Sequence, residues 1–198
     1  MKKIKYLVAI LIVLVAVTGC KSKEQNQLSK SAENTSISEN NMKSYRAKVS
    51  ITSKKLNENY IVLNENNKNY TISLIKDNKN ITIRKSKDET SVTTDTGEIY
   101  NGTIEYDYRN TDLYFEGLDT EDENIKTKTI KIDKEKYTEY DFKVTKEKFN
   151  KMMEPFKITV KKDGTGYAYV DKDEHIFLIN YSVDGVNVNI TYTRLVTK

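Results

Sequence analysis

Cysteine occurs once in this 198-residue chain, at Cys20, and proline once, at Pro155. One cysteine excludes a disulfide framework within the chain. His175 is the sole histidine, which excludes a two-histidine zinc site or a carboxylate-bridged version of one. A Ser-His-Asp triad would have to use His175, yet no Gly-x-Ser-x-Gly turn exists to present a serine. The glycine-bearing turn Asp163-Gly164-Thr165-Gly166 lacks the lysine and the length of a phosphate loop. Tryptophan is absent, and the longest apolar run, Tyr6 to Val17, falls short of the roughly 20 residues a spanning helix needs. These gaps remove most hydrolase, metalloenzyme and nucleotide chemistry. The chain reads as non-catalytic, with no cofactor and no metal.

The residues present at the N-terminus are more telling. Lys2, Lys3 and Lys5 precede the apolar run, and Gly19 stands just before Cys20, the order of an export signal. Val17-Thr18-Gly19-Cys20 resembles a bacterial lipobox: an aliphatic residue, two small residues, then cysteine. The resemblance implies that 1–19 is a lipoprotein signal peptide, removed after diacylglycerol is attached to the Cys20 thiol. Two acyl chains suffice for stable anchoring. The expected place is the extracytoplasmic face of the cell membrane. The three signal lysines supply most of the formal charge of +4, so the mature chain carries only +1. Net charge therefore gives no reason to expect nucleic acid as a partner.

Lys21 to Asn41 holds no aromatic residue, and its apolar side chains are only Leu28, Ala32 and Ile37. So little apolar surface does not offset the entropy of ordering, and residues 20–43 read as the lipidated cysteine plus a flexible tether. Residues 44–198 read as a single β-rich domain. Tyr45, Ala47, Val49 and Ile51 fall on one face of an expected strand, with Arg46 and Lys48 on the other. Tyr70, Ile72 and Leu74 alternate in the same way, as do Ile104, Tyr106 and Tyr108, then Tyr140, Phe142 and Val144. Period-2 alternation is what a sheet with one dry and one wet face requires. Asp184-Gly185 is a preferred pair for a tight type I′ turn, and predicts a closing hairpin. Ile176 to Ile179 is apolar throughout, so both faces of that strand should be covered.

One segment changes period. In VTKEKFNKMMEPF, Phe149, Met152, Met153 and Phe156 form a single helical stripe. Thr145 is placed to cap its start, and Pro155 disfavours helix at Glu154. This short amphipathic piece is the expected cover for the sheet.

The opening MKSYRAKVSIT and the closing YVDKDEHIFLINYSVDGVNVNITY, with a strand–helix–strand order in Tyr137 to Val160, resemble the lipoprotein-carrier and LppX-type lipoproteins of LolA-like fold. The resemblance rests on Tyr169-Val170-Asp171 followed by Ile176 to Val183 and Val186 to Tyr192, and covers about a third of the domain. It implies a mainly β (α+β) protein: a curved antiparallel sheet, or open half-barrel, with one short helix over its concave side. It also implies an apolar ligand, a lipid or acyl chain, held between the two. Tyr106, Phe115, Phe149, Met152 and Met153 are the candidate lining residues, because methionine and aromatic side chains fill irregular apolar space. Ordinary core packing explains the same stripe. The alternative function is a surface module that meets a protein or cell-wall polymer through its tyrosine-rich strands. Two acidic groups complete the inventory: Asp119 to Asn124 lacks calcium-loop spacing, and Glu105 with Asp107 lies on the wet face of its expected strand.

Overall fold

The computed structural model describes residues 21–36, 44–65, 69–76, 79–86, 89–104, 106–122 and 124–194. The expected export signal and Cys20 lie outside these residues, as do 37–43 of the expected tether and Glu105. Ten strands form one antiparallel sheet: β1 (Tyr45–Thr52), β2 (Asn57–Asn64), β3 (Tyr70–Lys76), β4 (Lys79–Ser86), β5 (Glu89–Thr94), β6 (Lys126–Ile132), β7 (Glu135–Val144), β8 (Gly164–Val170), β9 (Ile176–Val183) and β10 (Val186–Arg194). Their order is β5-β4-β3-β2-β1-β10-β9-β8-β7-β6, so two five-strand meanders meet where β1 pairs β10. The sheet is curved and unclosed, the mainly β architecture expected from the sequence.

Register places the alternating apolar sets of β1, β2, β7 and β10 on one face. Tyr45, Ala47, Val49 and Ile51 of β1 are fully buried and pair across to Tyr192, Ile190 and Val188 of β10 and to Val62 and Tyr60 of β2. Tyr140, Phe142 and Val144 of β7 continue that inner face. The closing hairpin turns at Asp184 and Gly185 with φ of 49° and 80°, the positive pair that a type I′ turn needs.

Topology then dictates what covers the inner face. β5 and β6 are adjacent in sequence yet form opposite edges, so residues 95–125 must cross the whole sheet, about 43 Å at strand spacing. This strap brings Tyr108, Tyr114 and Leu118 down onto the inner face, all buried. It contains a 3-10 turn at Thr111–Phe115 and no strand among its described residues. The alternation of Ile104, Tyr106 and Tyr108, expected to mark a strand, belongs to this strap, which finds no ladder partner in mid-face.

Two helices complete the cover. α2, Lys146–Met153, is the expected one: Thr145 accepts the Lys148 N–H through its hydroxyl, and the helix gives way to a 3-10 turn at Glu154–Phe156 around Pro155. α1, Lys23–Thr35, stands where a flexible tether was expected. Its Ser22 hydroxyl accepts the Gln25 N–H while the Gln25 side chain accepts the Ser22 N–H, a capping box. Leu28, Ser31 and Thr35 lie on one stripe and are buried. The tether reading failed because it counted apolar side chains. This stripe needs one leucine, and its other contacts are polar.

Candidate functional site: the space between sheet and roof

The strap, α1 and α2 form a roof over the inner face, and the five candidate lining residues all sit in it. Phe149, Met152 and Met153 of α2 have 0% exposure, so no water-sized space adjoins them. Phe149 meets the Tyr181 ring of β9 edge-on with centroids 6.3 Å apart. Phe115 stacks on Tyr192 of β10 at 5.6 Å. Tyr106 packs against Phe156 at 4.8 Å and against Tyr108 at 5.5 Å. Tyr106 and Phe115 are half-buried. The structure therefore brings the five into one layer, with α2 packed tight and the strap residues partly open.

Sequence reasoning missed the tyrosines beneath that layer. Tyr45, Tyr60, Tyr181 and Tyr192 rise from four neighbouring strands toward the strap. The Tyr181 hydroxyl donates to the Tyr114 carbonyl, the Tyr192 hydroxyl donates to the Thr111 carbonyl, and the Tyr60 and Tyr114 hydroxyls bond each other. A phenol brings a large apolar ring and one polar tip, and a buried tip needs a partner. For Tyr181 and Tyr192 the partners are strap carbonyls, and for Tyr60 the hydroxyl of the strap's Tyr114. Burial pushes the Tyr45 hydroxyl up to about 12, and pushes Tyr60, Tyr114, Tyr181 and Tyr192 well above the usual phenol range. Alternation marked Tyr45 as inward from the sequence. That its hydroxyl would meet a crossing segment was not visible locally.

The strap also passes very close to α2. A Cβ built on Gly117 would lie 2.9 Å from the Met152 Sδ and from the Tyr181 ring, so only glycine fits. Next to it, Asp119 accepts from the Lys148 Nζ at 2.7 Å. Asp122 accepts the Lys143 N–H at 2.9 Å on the stretch of β7 beyond β6. The acidic run is thus put to use in tying the strap to α2 and to the sheet. Asp107 caps the Arg109 N–H at 3.1 Å. His175 has a side chain only 18% exposed, with its backbone N–H on the Asp171 carboxylate.

The outer face differs in kind. Tyr137 packs on Phe177 at 4.8 Å and Tyr167 on Tyr169 at 5.1 Å, all half-buried. A second covered face was expected for Ile176 to Ile179; Phe177 and Leu178 are instead half-buried here, flanked by aromatic rings of the same sheet. Beside them a groove of about 490 Å3 is bordered by Asp141, Lys143, Thr165, Tyr167 and Asn180.

The fold is shared with solved structures. Lipoprotein LppX of Mycobacterium tuberculosis superposes with a TM-score of 0.53 at 13% identity, over 88% of this chain and 97% of that one. The chain has an LppX-like fold. LprF of Mycobacterium bovis gives a TM-score of 0.51 at 14% identity, over 90% of this chain and 97% of its own. At such identities what is shared is the fold. No protein-family model and no curated protein matches the sequence.

Proposed function

We propose that this protein is an extracytoplasmic lipoprotein, held in the membrane by diacylglycerol on Cys20, that binds a lipid or acyl chain between its curved sheet and roof without catalysing a reaction. One observation carries the reading. The apolar inner face of a ten-strand sheet is covered by a strap and two short helices, and beyond the bridge of Ile99 to Thr93 at its start the strap is joined to the sheet by side chains and tyrosine hydroxyls instead of a ladder. Such a cover separates from the sheet without breaking strand pairing, and the surface beneath suits methylene chains. Phe149, Met152 and Met153 would line the space once the strap lifts, with Tyr106 and Phe115 at its mouth. The LppX-like fold supports the same reading.

The test is extraction of the purified protein for lipid mass spectrometry, together with uptake of a fluorescent fatty acid. Gly117→Ala sharpens it: the added methyl has no room beside Met152 and Tyr181, so it should loosen the strap and speed uptake. No extracted lipid, and no uptake by either protein, would sink the reading. The outer-face tyrosine pairs and their groove favour a second reading, contact with a cell-wall polymer. Tyr167→Ala should then release the protein from purified wall material while leaving fatty-acid uptake unchanged.

A further inference from the structure

We propose that the β6 edge of the sheet, with the start of α1, is the face that lies on the anionic surface of the bilayer. The inference rests on the anchor at Cys20 proposed above. Its first support is the course of α1. Thr35 takes the Ile176 N–H of β9 at 2.8 Å, and Gln27 takes the Tyr140 hydroxyl of β7 at 3.3 Å. Read backwards, the helix therefore crosses from β9 past β8 to β7. Those eight residues span about 12 Å of helix, against about 10 Å for two strand spacings. Five more residues to Ser22 add about 7.5 Å, which carries the helix start over β6 or just beyond it. Cys20 is two residues further, at most about 7 Å of extended chain. An anchor there reaches the membrane beside β6, on a link too short for the body to stand clear while α1 is docked.

The second support is charge. Lys21, Lys23, Lys126, Lys131, Lys134 and Lys136 are exposed at the helix start and along the β6–β7 hairpin, and none forms an ion pair among the described residues. The acids in the same stretches are Glu24, Asp133, Glu135, Glu139 and Asp141; Lys128 is already paired with Glu139 at 2.8 Å, Asp141 stands opposite Lys126 on β7, and the lysines, with Lys143, still outnumber the acids by eight to five. This edge therefore holds an excess of positive charge in a mature chain of only +1, leaving the rest net negative. Lysine on an edge strand also blocks sheet extension. That role does not call for the lysines in the turn and at the helix start, and β5, the other edge, has none. Positive charge along the edge that the anchor adjoins, from Lys126 near the helix start to Lys134 at the turn, fits anionic headgroups, which attract nearby lysines within a Debye length. The lipid holds the body, and the lysines set its orientation.

Hydrogen exchange on the full lipidated protein tests this, in vesicles of phosphatidylcholine alone and with about a third phosphatidylglycerol. Amides of 126–136, on an edge strand and its turn, should exchange roughly tenfold more slowly on the anionic vesicles. High salt, or the substitutions K126Q, K131Q, K134Q and K136Q together, should remove the difference. Equal exchange on both vesicle types, or a difference that survives these substitutions, would overturn the proposal, as would full retention of Cys20→Ala on the vesicles. Fatty-acid uptake is a separate readout. Its absence alongside a protected hairpin would sink the ligand reading and leave the orientation standing.

Discussion

The two helices over the inner face bury themselves by different chemistry. α2 spends three of its eight residues on large apolar side chains with no exposed surface, Phe149, Met152 and Met153. α1 has thirteen residues and only Leu28 among its fully buried apolar side chains; Gln25, Ser31 and Thr35 make up the rest of its buried stripe. Burial of a large side chain contributes about 1.5–3 kcal/mol wherever it finds an apolar neighbour. A hydrogen bond contributes about 1 kcal/mol and only in one geometry. α2 is therefore held by area, and α1 by fit: Thr35 to Ile176, Asn34 to the Glu174 carbonyl, and Lys30 to the Glu174 carboxylate. A helix held by fit detaches more readily, and α1 is the one next to the expected anchor.

The largest effect that would sharpen this contrast comes from alkaline pH, which attacks the ground beneath α2 and the strap. The buried hydroxyls of Tyr45, Tyr60, Tyr114, Tyr181 and Tyr192 ionise above their unfolded value near 10, so the unfolded chain loses those protons first. Their stabilisation is complete below pH 10 and is lost as pH rises above it, by about 1.4 kcal/mol per tyrosine per pH unit. Five together cost on the order of 7 kcal/mol at pH 11, comparable with the stability of a whole domain. Tyrosinate absorbance and circular dichroism should change together between pH 10 and 12. Smooth titration of every tyrosine near 10, with the fold intact, would break the account of the roof.

Next in size, Phe149→Ala should cost about 3–5 kcal/mol in denaturant unfolding, and Leu28→Ala about 2 kcal/mol. The Leu28 loss should leave the sheet's own transition in place, with hydrogen exchange rising only in α1. Equal costs with a single cooperative loss would erase the difference between the helices. The smallest change is Thr35→Val, which keeps the shape but strands the buried Ile176 N–H, for about 1–3 kcal/mol confined to α1 and the start of β9.

Reading from sequence succeeded where a residue's partner was implied by its own spacing. The inward sets of β1, β7 and β10, the Asp184-Gly185 turn, and α2 from Thr145 to Pro155 all follow from period or local stereochemistry. α1 left one usable signal, the Ser22–Gln25 capping box, which a count of apolar residues passes over. The strap left a misleading one, because an extended segment crossing a sheet alternates just as a strand does. Of the five candidate lining residues, the α2 stripe was legible in helical period. The placement of Phe115 on Tyr192 depended on where β5 and β6 lie in the sheet.

By itself the sequence determined the local matters: which residues face inward, where the closing hairpin turns, and where α2 starts and stops. These depend on backbone stereochemistry and on side-chain periods of two and 3.6, which act within a few residues. Only the tertiary structure decided that β1 pairs β10, that residues 95–125 must therefore cross from one edge to the other, and that a polar N-terminal stretch folds back as α1. Those outcomes depend on contacts between residues as far apart as Thr35 and Ile176, whose partners exist only once the sheet has formed.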